Sequence, residues 1–339
     1  MRFTFGIAIF LLAYFTADQG AVLGEESEFL SRDDGQVVEI SEDGMPVLVY
    51  QLQEKSLDGQ WSRAGYVHTL YDLGGNVFTE DFPDDHKHHR GIFWAWHHLS
   101  VGDLVLGDPW LCKEFVRQCI ETTTGGIEVG GEDCMRIDLV TLWKSPRLKD
   151  PMGDMLPVVK ERTRIIVHPR TTQQRLMDFD ISLTAMLSDV RIGGSDDVKG
   201  YGGFSPRIKL NSKEVFRFLG GEVQPQKLAV QGGPWVDISN ENRGLTIMSH
   251  PENPVATQES TKSDSGSNQT QASNEADQQS PRWILRRKRS MQNVAYPGRK
   301  PVLLSTDTAT RLRYRLVVHD GKLTPKSLQA IYDRFANGK

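Results

Sequence analysis

Three observations predict a mostly-β chain built as an antiparallel β-sandwich. Short segments rich in β-branched and aromatic residues recur along the sequence, several alternating polar and apolar residues with period two. Clusters of Gly, Asp, Asn and Pro separate them. Helical spacing is convincing only near the C-terminus, so no helices alternate with strands to build a parallel sheet. The expected strands span residues 46–52, 66–71, 135–143, 164–168, 177–187, 245–249 and 311–319. In the last of these, Arg311, Arg313 and Arg315 share one face and Leu312, Tyr314 and Leu316 the other. Residues 326–336 form the expected helix, with Pro325 near its first turn, where a missing N–H costs little.

The N-terminus carries one positive charge at Arg2, an apolar run from Phe3 to Phe15, and small residues at Ala17, Gly20, Ala21 and Gly24. This is the layout of a secretory signal peptide over residues 1–24, and the apolar run is shorter than the ~20 residues that span a bilayer. The chain is therefore expected to be exported, periplasmic or extracellular, with no stable membrane insertion. A net charge of −4 gives no basic face for nucleic acid. Cys112, Cys119 and Cys134 are an odd set, so at least one thiol is free or paired between chains, and a Cys112–Cys119 bridge stays open.

One sandwich domain is expected over residues 35–322, followed by the helix and tail at 325–339. From 256 to 280 the chain is almost purely polar and cannot offset its ordering entropy, so this insert is expected to be disordered. The basic run after it, Arg286 to Arg289, reads as a solvated edge or loop, or as a contact to an anionic surface.

Chemistry concentrates in residues 79–98. Five of the nine histidines lie between His86 and His98, with Glu80, Asp81, Asp84 and Asp85 just upstream and Arg90 inside the cluster. In an extended backbone His86 and His88 point one way and His89 the other, and the same-face pair is good metal-ligand spacing, with His250, His319 or a nearby carboxylate to complete the sphere. No glutamate comes next as in a cupin, and Arg90 disfavours a dication by repulsion. Acid–base chemistry fits better, because histidine titrates near neutral pH and arginine can hold a carboxylate or oxyanion. The third reading is a polar network around a binding cleft. Trp94 and Trp96 share a face of a strand over 92–98, and that segment is apolar on both faces, as a buried central strand would be.

The chain resembles a bacterial family labelled PmoA-like, or "methane oxygenase PmoA". The resemblance rests on Tyr66-Val-His-Thr-Leu-Tyr71, Thr79-Glu-Asp-Phe-Pro83, Asp85-His-Lys-His-His-Arg-Gly91, Gly200-Tyr-Gly-Gly-Phe-Ser205, Ser249-His-Pro-Glu-Asn-Pro254 and Arg313-Tyr-Arg-Leu-Val-Val-His-Asp-Gly321. Lys87 stands where the family pattern has proline, and the polar insert separates Pro254 from Trp283. The resemblance implies a supersandwich of the galactose-mutarotase type, and fold alone does not assign function.

Together the residues point to one expected site. His88, His89, Arg90 and His250 are its catalytic candidates. His86, Trp94, Tyr201 and Arg207 are its substrate-binding candidates, with Glu80 or Asp85 orienting a histidine. The expected protein acts on a sugar or acidic oligosaccharide as a lyase, epimerase or hydrolase. A non-catalytic glycan-binding module and a metal-dependent oxidase or oxygenase stay open as alternatives. The sequence specifies no cofactor.

Overall fold

The computed structural model describes residues 27–211, 213–255, 280–288 and 291–338. The expected signal peptide and nearly all of the polar insert lie outside the described residues.

Two nine-stranded antiparallel sheets dominate the fold. The first runs in the order Phe29–Asp33, Val37–Glu42, Met45–Gln51, Tyr66–Leu70, Ile92–Trp96, Gly202–Pro206, Asn293–Ala295, Arg282–Ile284 and Val230–Gln231. The second runs Val116–Val129, Glu132–Lys149, Met155–Val167, Gln174–Ala185, Thr310–Asp320, Arg243–Ser249, Trp235–Ser239, Val215–Phe218 and Gly221–Glu222. The expected period-two strands are all present. Those at 135–143 and 164–168 fall in longer strands, Glu132–Lys149 and Met155–Val167, the second ending one residue before His168.

Aromatic rings join the inner faces. Trp96 meets Trp143 with centroids 5.5 Å apart, Trp94 meets Phe179 at 6.5 Å, and Phe204 stacks on Tyr314 at 4.4 Å. These contacts belong to one continuous inter-sheet core. Trp94, expected in the site, is therefore a core residue. Its indole N–H donates to the buried Glu161 carboxylate at 3.0 Å, which Trp143 and Arg117 also engage. Truncating such an indole costs roughly 3–5 kcal/mol.

The strand Thr310–Asp320 buries Leu312, Tyr314 and Leu316, while its arginines Arg311, Arg313 and Arg315 pair with Asp180, Glu252 and Asp178 on the other face. A helix spans Pro325–Ala336, capped by the Thr324 hydroxyl, which accepts the Ser327 N–H at 3.1 Å. Its apolar stripe, Leu328, Ile331 and Phe335, packs with Trp235, Met248 and Val317 of the second sheet. The three cysteines are free thiols.

Candidate functional site

The strand Ile92–Trp96 is apolar on both faces because both are covered. Ile92, Trp94 and Trp96 enter the inter-sheet core, whereas Phe93 and Ala95 join a separate outer cluster with Tyr66, Trp110 and Met291. The histidine-rich segment sits over this outer cluster, with the His89 ring 6.1 Å from Phe93 and 5.9 Å from Trp110.

The segment is a loop with tied feet. Asp81 and Arg90 form an isolated antiparallel bridge, and the Gly91 N–H donates to the Glu80 carbonyl at 2.8 Å. Gly91 has φ +51°, and a Cβ there would meet the Val67 carbonyl oxygen at 2.0 Å, so only glycine fits. Arg90 is fully buried and makes the knot. Its guanidinium donates to Asp81, the Tyr66 hydroxyl and the carbonyls of Lys55 and Trp61, and lies 3.4 Å from the Phe82 ring centroid. Such an arginine has no fork left for a substrate carboxylate, so the structure corrects Arg90 from catalytic candidate to fold-holding residue.

Between these feet the backbone turns twice, with the His86 N–H donating to Pro83 and the His89 N–H to His86 at 3.2 and 2.9 Å. The extended backbone expected at His86 to His89 is thus replaced by turns, and all three rings converge instead of alternating. His86 stacks on His89 at 4.8 Å, and His88 meets them edge-on at 5.5 and 4.5 Å. Lys87 folds back onto Asp84 at 2.6 Å.

Arg207 organises the base of the patch. It donates to Glu80 at 2.6 Å, to Asp85 at 2.7 Å, and to His89 Nδ1 at 3.1 Å. A guanidinium only donates, so His89 Nδ1 accepts and the ring is neutral with its proton on Nε2. Burial, reinforced by His88 and Arg207, holds the His89 pKa far below the ordinary histidine value. Burial, with His86, Arg63 and His97 adding to it, lowers His88 to about 4. Burial opposes ionisation of Asp85, yet Arg207 outweighs it and keeps the carboxyl below its usual range. Arg207 is buried with each arm engaged, which makes it a positioning residue and not the substrate contact expected.

Near His88 lies a pair that the sequence pattern does not single out. Asp108 accepts a hydrogen bond from His97 Nδ1 at 2.9 Å, and its other oxygen accepts the Leu111 N–H at 2.9 Å. The His97 ring stacks on buried Trp110 at 5.3 Å, and Trp110 also meets Tyr201 at 5.8 Å. Tyr201 is half-buried, and its hydroxyl accepts from Arg286. Arg286 also donates to the Gln226, Lys227 and Leu285 carbonyls, so this first residue of the basic run binds a loop of its own chain. His97 belongs to the visible histidine cluster, but Asp108 lies eleven residues on beyond a hairpin, a spacing with no local signature.

His250 is placed elsewhere. It comes directly after the strand Arg243–Ser249 of the second sheet, its ring edge-on to Phe335 at 5.0 Å and its Nδ1 accepting the Glu252 N–H at 3.2 Å. It lines a cavity of about 200 Å³ with Tyr296, Tyr314 and Tyr332. These contacts separate it from the patch, and it is corrected to a boundary histidine of the helix interface. His319 is likewise buried in the second sheet, 2.9 Å from Asp237.

The structure therefore brings together His86, His88, His89, Tyr201 and Arg207, adds His97 and Asp108, and leaves out Trp94 and His250. Among the described residues, the one His/Cys/Asp/Glu group with three ligand atoms within 4.8 Å is Glu132, Cys134 and His168, on the other sheet. No helix of the described residues is long and apolar enough to cross a membrane.

Residues 37–333 match a family of unknown function (DUF6807). The chain belongs to that family. No curated protein matches it.

Proposed function

We propose that the outer-face patch is the site of an exported carbohydrate-active protein that binds a neutral sugar and moves a proton on it, in the manner of a lyase, epimerase or hydrolase. The observation that carries this reading is the His97–Asp108 pair beside His88. Asp108 fixes the His97 ring through Nδ1, which orients His97 to act as a general base on a ligand through Nε2. His88 and His89, held neutral, are better suited to hydrogen-bonding sugar hydroxyls, His89 as a donor through Nε2 because Arg207 takes its Nδ1. Hydroxyls fit better than carboxylates because Arg90 and Arg207 are already paired within the protein.

The second reading is a non-catalytic glycan-binding module. It is favoured by the depressed pKa of His88, which makes that ring a weak base and a poor proton reservoir at neutral pH.

A panel of neutral and acidic oligosaccharides, assayed by thermal shift and by product formation, tests both. The expected result is turnover of a neutral sugar that falls about 10²–10⁴-fold in His97→Gln, with binding little changed. A thermal shift without turnover supports the binding module. No response to any glycan sinks both readings.

A further inference from the structure

The outer face of the second sheet carries another organised cluster, independent of the histidine patch. Glu132 and Cys134 alternate on one strand and so share a face. His168 comes just after the neighbouring strand, directly across from Cys134 by continuation of the Met135–Val167 register. Its Nδ1 lies 3.5 Å from Cys134 Sγ and 3.5 Å from Glu132 Oε2. On the far side of the ring, Nε2 is 2.9 Å from the Asp178 carboxylate, which Arg315 grips from the next strand at 2.6 and 2.7 Å.

From this geometry we infer that Glu132, Cys134 and His168 form a binding site for a borderline-soft divalent ion, zinc by preference. A tetrahedral ion with Zn–S of ~2.3 Å and Zn–N of ~2.0 Å holds its ligand atoms roughly 3.5 Å apart, the separation of His168 Nδ1 from each of its two partners, and all three ligand atoms lie within 4.8 Å of one another. One thiolate, one imidazole nitrogen and one carboxylate oxygen are the donors such an ion takes, and three protein ligands leave a fourth position for water. Asp178 accepts the Nε2 proton, which fixes the tautomer that turns the Nδ1 lone pair toward Cys134 and Glu132. Arg315 in turn keeps that carboxylate in place. The side chains of Cys134 and His168 are buried while Glu132 reaches solvent, which gives the ion a route in.

The test uses untagged full-length protein, stripped with chelator and titrated with Co²⁺ and then Zn²⁺. The expected result is one equivalent of Co²⁺ with a thiolate-to-cobalt charge-transfer absorption that Zn²⁺ displaces. Cys134→Ser abolishes that absorption, and Asp178→Asn keeps it while weakening affinity about 10–100-fold. Should Cys134→Ser fail to fold, alkylation of the unmodified protein replaces it. Zn²⁺ then slows modification of Cys134 and leaves Cys112 and Cys119 unaffected. Metal uptake without the charge-transfer absorption places the ion elsewhere and overturns the site. So does an absorption that survives Cys134→Ser, an alkylation rate at Cys134 indifferent to Zn²⁺, or no stoichiometric uptake at all.

Discussion

The two sheets expose the same residue type on their outer faces and treat it in opposite ways. Over the first sheet His88 and His89 sit among other imidazoles and beside Arg63 and Arg207, and burial together with these cationic neighbours suppresses their protonation. Over the second sheet burial also opposes charge on His168, but its hydrogen bonds to Asp178 and Cys134 win and raise its pKa to about 9. Burial is common to both places. The sign of the partner decides the outcome, and the partner is set by which strands lie side by side.

The largest expected effect separates framework from patch. Arg90→Met leaves the barely exposed Asp81 carboxylate with Lys55 as its remaining cationic partner, so the loss should fall at or below the ~3–5 kcal/mol typical of breaking a buried pair. Chemical denaturation should show that loss, whereas His88→Ala, at a half-buried ring of the loop, should change stability by about 1 kcal/mol or less. Equal effects of the two substitutions would mean that the patch and its knot are one structural unit.

Next comes the titration contrast. In chelator-treated protein, imidazole NMR should give midpoints near pH 4 for His88 and near pH 9 for His168. Asp178→Asn should bring the His168 midpoint down, since it removes the strongest of the groups that raise it. A His168 midpoint unmoved by that change would break the comparison.

A smaller effect is expected in stability against pH. The folded His88 value lies below the ordinary ~6.5, so the native state resists protonation and loses stability as pH falls from about 6.5 toward 4. His68, lowered to about 4 chiefly by burial, acts in the same window. His168 has the reverse sign: its contribution is complete below about 6.5 and disappears as pH rises through about 9. Between pH 7 and 4 the denaturation midpoint of His88→Gln should fall less than that of the wild type, because glutamine carries no titration penalty.

The strand content, the C-terminal helix and the division of Thr310–Asp320 into an arginine face and an apolar face were legible in the sequence. Each depends on local periodicity, and the side chain of every second or fourth residue must meet the same surroundings. The histidine concentration was legible as well, and in the fold three of its rings meet on one loop. Its geometry was not legible, because alternation assumes a strand and the chain turns twice between Pro83 and His89.

The partners were decided only by the tertiary structure. Arg90 and Arg207 look interchangeable in sequence as cations available to a site, yet one ties the loop's feet under Phe82 and the other aligns His89 from more than a hundred residues away. The same holds for Asp108 on His97 and for Asp178 on His168, and for Trp94, whose place in the core depends on a second sheet covering it. Periodicity is a property of neighbours along the chain, and the sequence by itself determined every feature that periodicity governs. Charge state, donor pairing and metal-ligand geometry are properties of neighbours across it, fixed only when strands distant in sequence pair in one register.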